Sequence, residues 1–244
     1  MLDDRPSILA IREMAQHGLT DFLSTHLHDL QEDEALAVLS NRNCNTALCD
    51  QISRSARLTA QAGIRSKLVE HRATPQSQAL KLIHYLFWSD LVRISTDMQV
   101  SPVVRRAIDS RLLAMVTRLT LGEKIAAAKR CSRELIRVFL FDEHPRVFEA
   151  LLINSRLAEE DLLRLIGSEE ARAHQLMMIA SDRKWSGRYE VRRALVLNPR
   201  TPKSIAASQL RFLKRDDLVM LLRRPSTSVY LQRCIERMQP TGGR

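Results

Sequence analysis

EVRRALVLNPRTPKSIAASQL, residues 190–210, decides how the chain is read. Val191 and Leu195 stand four apart and so share one helix face, with Arg192, Arg193 and Ala194 between them. Asn198-Pro199-Arg200-Thr201-Pro202 breaks that period, and a new apolar segment follows. Proline ends what precedes it and fits the first turn of a following helix, because it has a fixed φ and no N–H. The break is therefore a helix-to-helix corner. Asn198 is expected to close the first helix in the left-handed conformation that asparagine tolerates. Thr201 is expected to cap the second, with Pro202 in its first turn.

The same pattern recurs along the chain. Ile64-Arg65-Ser66-Lys67-Leu68, Val104-Arg105-Arg106-Ala107-Ile108, Val147-Phe148-Glu149-Ala150-Leu151, Val191-Arg192-Arg193-Ala194-Leu195 and Leu231-Gln232-Arg233-Cys234-Ile235 each carry apolar residues at i and i+4. Their starts lie 40, 43, 44 and 40 residues apart. A shift of 127 residues lays TPQSQALKLIHYLFWSDLV (74–92) on TPKSIAASQLRFLKRDDLV (201–219) with no gap and eight identities. Weaker corners occur at Asn41-Arg42-Asn43 and at Asn154-Ser155-Arg156. Asp90, Asp161 and Asp217 each precede a leucine at a helix start, where a carboxylate stabilises the positive end of the helix dipole. Units of 40–44 residues that each bury one face against a neighbour define a stacked helical array.

Composition agrees. The chain of 244 residues is 45% hydrophobic, with only 7 glycines, 8 prolines and 5% aromatics, which favours helices throughout. Four helices are expected near 5–16, 19–28, 32–40 and 45–58. No apolar run is long enough to span a membrane, and MLDDRPSILAIREMAQ carries no secretory core, so a cytoplasmic protein is expected. Net charge is +10 but uneven: residues 1–50 hold nine acids and three bases, while 181–244 hold 15 bases and five acids. That asymmetry points to an anionic partner, or to the acidic head shielding the basic body.

The Val-Arg-x-Ala-Leu helix after a proline-containing turn resembles HEAT and armadillo-type repeats. The Asn-Pro-Arg-Thr-Pro corner is similar to the bacterial leucine-rich-repeat-variant group. The resemblance implies an all-α, right-handed α-solenoid of about five repeats. The acidic cap and a degenerate repeat would fill 1–63, the array 64–240, and a frayed tail 241–244. It also implies a non-catalytic scaffold, since such repeats serve mostly as binding surfaces.

The expected partner surface is a basic stripe of Arg65, Lys67, Arg105, Arg106, Arg192, Arg193 and Arg233, joined by Arg183, Lys184 and Trp185. In such repeats the helix bearing these arginines lines the concave face. Arg105 and Arg192 are expected to pair with an aspartate of the next unit, which leaves Arg106, Arg193 and Arg233 for an anion. Phe148 and Glu149 break the stripe in the third unit. Trp88 reads as core. Trp185, flanked by Arg183, Lys184 and Arg188, reads as a stacking surface. A protein partner leads, nucleic acid is the alternative, and an enzyme resembling the bacterial alkylpurine DNA glycosylases is a distant third. The pattern leaves the oligomeric state open.

No catalytic residue and no cofactor is expected. Cys44, Cys49, Cys131 and Cys234 form no CxxC pair, so neither zinc nor an iron–sulfur cluster is expected. His26 and His28 would point about 200° apart on a helix, and no metal is assigned to them.

Overall fold

The computed structural model describes residues 5–238, and every regular element among them is helical. The tail expected at 241–244 lies outside the described residues. No helix among the described residues is long and apolar enough to cross a membrane. Contacts divide the chain into two compact units, Met1–Leu119 and Thr120–Arg244.

The first unit opens with helices Ile8–Glu13, Gln16–His26, Glu32–Ser40, Thr46–Arg54 and Ala56–Thr59, close to the expected spans. Glu34 folds back to accept the Gln31 N–H at 2.8 Å, and Asn45 accepts the Leu48 N–H at 3.1 Å. These side chains satisfy donors that a helix start leaves without partners. Helices Ala62–Glu70, Gln76–Leu82, Trp88–Ser95 and Pro102–Met115 complete the unit. The second unit starts at a capping box, in which Glu123 accepts the Thr120 N–H at 2.8 Å. It runs through Leu121–Ala128, Arg133–Phe139, Pro145–Leu152, Glu159–Gly167 and Ala173–Ser181. Tyr189–Leu197, Lys203–Leu210, Arg215–Arg223 and Val229–Met238 follow.

The phase of the repeated pentapeptide is the phase of packing. All ten i and i+4 residues lie in helices and all ten are buried, from Ile64 and Leu68 at 0% exposure to Leu231 at 7%. Burying an aliphatic side chain of this size stabilises by about 1.5–3 kcal/mol, so these positions anchor each helix to its own unit.

The corner differs from expectation in two ways. Asn198 has φ −81° and ψ 119°, and no non-glycine residue among those described has positive φ. The left-handed closure is unnecessary because the side chain does the work. The Asn198 amide donates to the Ile166 carbonyl, and its Oδ1 accepts the Arg200 N–H at 2.7 Å. Asn154 repeats this, donating to Ala128 O at 2.8 Å and accepting from Arg156 N–H at 2.8 Å. Asn41 does so again, donating to Ile11 O at 2.7 Å and accepting from Asn43 N–H at 2.7 Å. Each asparagine staples its corner to the end of a helix 26 to 32 residues earlier.

The second difference concerns the caps. Pro75 and Pro202 are themselves the cap residues, their carbonyls accepting the Ala79 and Ala206 N–H groups at 3.0 Å as the first intrahelical bonds. Thr74 and Thr201 do not cap, and the buried Thr201 hydroxyl has no hydrogen-bond partner among the described residues. Pro75 and Pro202 keep extended backbone, with ψ 130° and 132°, so each helix begins one residue later and the threonine stands outside it.

Candidate functional site

The arginines expected to face a partner divide by position. Those directly after the first apolar residue clamp their own turn. Arg65 donates to Thr59 O at 2.8 Å and Ala60 O at 2.6 Å, Arg105 Nε to Val100 O at 3.1 Å, and Arg192 Nε to Ser186 O. Each carbonyl lies five or six residues upstream, in the turn that launches the helix. Arg192 also lies over the Phe212 ring at 4.0 Å. The expected pairing of Arg105 and Arg192 with an aspartate is therefore replaced by a bond to the chain's own backbone. The residue one further along takes the aspartate instead: Arg193 Nε donates to Asp217 at 2.8 Å. Ser66, which stands opposite Arg193 in the 127-residue shift, likewise donates to Asp90 at 3.1 Å.

Asp217 also accepts the Tyr189 hydroxyl. That bond and the Arg193 guanidinium hold the Asp217 carboxyl below its ordinary 3.8. The unfolded chain binds this proton more readily, so the contribution is complete above the ordinary value and drains as pH falls through it. Asp217→Asn is expected to lower the urea midpoint at about pH 7, with the gap from the parent narrowing by about pH 3. A gap that stays constant with pH would show that the charge is not what matters.

The other expected contacts sit as follows. Arg106 bonds Pro102 O in its own helix at 3.3 Å and is exposed; Arg183, Lys184 and Arg233 are exposed, and Lys67 is half-buried. Trp185 is a core residue at 1% exposure, with Nε1 donating to Leu152 O at 3.4 Å. Asp182 accepts the Lys184 and Trp185 N–H groups, which turns the ring inward and leaves Lys184 Nζ 4.1 Å above its face. Trp88, expected in the core, is half-buried. Trp185 is thus the core tryptophan, and Trp88 is the more exposed of the two.

The corner that opened the reading borders a cleft of about 470 Å3 within the second unit. Leu163, Ile166, Ala194 and Leu197 give it an apolar lining, and Asn198, Pro199 and Arg200 form one side. Arg193 is held by Asp217, whereas Arg200 and Arg224 are exposed and their guanidinium groups make no ion pair among the described residues. Glu169 and Glu190 complete the rim. The cleft can take an apolar side chain with anionic groups beside it. Arg200 and Arg224 were missed because neither stands in the repeated pentapeptide; the Arg inside NPRTP was the available signal.

A second constellation lies in the first unit. Cys44 Sγ and Cys49 Sγ are 3.6 Å apart, and Cys49 Sγ is 3.3 Å from His71 Nδ1. All three atoms lie within 4.8 Å of one another. Cys44 and Cys49 are buried, and His71 is half-buried. Cys49 is lowered to about 5, first by the hydrogen bond from Cys44 and, against the effect of burial, by His71. Cys44 is raised because it keeps the proton that it donates to Cys49.

No protein-family model matches the chain, and comparison with curated proteins and with solved structures finds no similar protein.

Proposed function

We propose that the protein is a non-catalytic scaffold whose second unit docks an acidic protein segment at the Asn198–Arg200 corner. The observation that carries this is the cleft itself, with its apolar lining beside two guanidinium groups free of ion pairs among the described residues. Its volume of about 470 Å3 has room for an anchoring side chain of a partner together with its neighbours. Arg200 and Arg224 would engage acids flanking that anchor, giving orientation and speed of encounter more than raw affinity. The recurrent pentapeptide and asparagine corners support stacking of the units as a HEAT- or armadillo-like superhelix. Cysteines that form no disulfide among the described residues suit a reducing compartment such as the cytoplasm.

Nucleic acid is the second reading, favoured by the 15 bases against five acids in 181–244. The burial of Trp185 removes the stacking platform expected for single strands.

Fluorescence anisotropy separates the two readings. A labelled peptide with a central leucine flanked by glutamates is titrated beside single- and double-stranded nucleic acid, from low to physiological salt. R200E/R224E is expected to weaken peptide binding by at least about tenfold. Equal peptide affinity in the variant would overturn the docking site. Tight nucleic-acid binding with a steep salt slope and no peptide binding would favour the second reading.

A further inference from the structure

We propose that Cys44, Cys49 and His71 form a zinc(II) site with three protein ligands, its fourth position taken by water or by a ligand atom from outside the chain. The distances carry this first. Tetrahedral zinc with Zn–S near 2.3 Å and Zn–N near 2.0–2.1 Å needs S···S of about 3.8 Å and S···N of about 3.5 Å. The observed separations are 3.6 Å and 3.3 Å, with all three donor atoms inside 4.8 Å. Two of the three separations lie within about 0.2 Å of the tetrahedral values, and the third, Cys44 to His71, is no more than 4.8 Å.

The repeat supplies the second argument. Aligned on their corners, 41–49, 71–79, 154–162 and 198–206 run without a gap. Asparagine holds the first position in three copies, where its amide donates to an earlier helix carbonyl. In the remaining copy that position is His71, and it faces a thiol instead of a carbonyl. Cys44 occupies the place of Thr74, Leu157 and Thr201, and Cys49 that of Ala79, Leu162 and Ala206. A packing role is met at those places by residues that bind nothing. The copy that departs at Cys44 and Cys49 therefore adjoins the copy that departs at His71, and all three departures are to zinc-ligand chemistry.

His71 Nδ1 also lies 3.2 Å from the Ala73 N–H, a contact that gives way when its single lone pair turns to the metal.

The test uses the whole chain, its thiols reduced with a phosphine and counted before use. Cobalt(II) is titrated anaerobically as the spectroscopic probe, then displaced by zinc(II). One equivalent is expected to bind, with a thiolate-to-cobalt charge-transfer band and tetrahedral d–d absorption that zinc abolishes. Cys49→Ser and His71→Asn are each expected to lower zinc affinity by more than about 100-fold, beyond the cost of losing an outer-shell partner. His71→Asn installs the residue of the other corners, so it keeps the fold while removing the ligand, and its thermal midpoint confirms that. Absence of the charge-transfer band in the fully reduced parent would overturn the proposal. So would unchanged affinity in folded His71→Asn.

Discussion

Replacing Asn154 by leucine is expected to lower stability by about 3–5 kcal/mol. Asn154 is fully buried, and its amide spans Ala128 O at 2.8 Å and Cys131 O at 3.4 Å while Oδ1 holds the Arg156 N–H at 2.8 Å. Leucine has similar bulk but makes none of these bonds. The Ala128 and Cys131 carbonyls and the Arg156 N–H would each lose a hydrogen bond, at about 1–3 kcal/mol where water does not reach. Asn198 is the internal control, because it is half-buried whereas Asn154 is fully buried. Asn198→Leu is expected to cost less than Asn154→Leu. Urea unfolding of both variants checks this; equal, small losses would show that the staple is not what holds the corners.

Trp185→Ala is expected to cost about 3–5 kcal/mol, the usual range for emptying a large aromatic site in a core. The ring is 1% exposed and spends its N–H on Leu152 O, so it ties the short Arg183–Ser186 helix to the Pro145–Leu152 helix. Trp185→Phe keeps most of the volume and loses the hydrogen bond, for about 1–2 kcal/mol. Affinity for the acidic peptide should be unchanged in folded Trp185→Phe. A stable Trp185→Ala with weakened binding would return the tryptophan to the surface role that its sequence neighbours suggest.

Much of the helical plan was legible because it rests on local period. The i and i+4 residues of each pentapeptide are buried, and the helices of the first 60 residues fall near their expected spans. What could not be read depends on partners far away in sequence. Asn198 looked like a left-handed cap because its reach to Ile166, 32 residues earlier, leaves no local trace. Arg192 and Arg193 are adjacent, yet one clamps Ser186 and the other holds Asp217; which does which follows from helix phase against a neighbour. Trp185 looked solvated because cations surround it, but those cations lie over the ring's face while the ring itself packs inward. Cys44 and Cys49 form no familiar metal spacing, and their third member stands 22 residues beyond Cys49. The 127-residue shift did place His71 opposite Asn198, and that mismatch was the one sequence clue to it.

The measurement that bears most directly on the docking site is its location. Backbone amide resonances of the isotopically labelled whole chain are followed while the unlabelled acidic peptide is added. Saturable shifts confined to residues 163–169, 193–200 and around Arg224 are the expected result, and they should vanish in R200E/R224E. Shifts centred elsewhere, or spread evenly over every exposed arginine, would contradict a docking cleft at the Asn198–Arg200 corner.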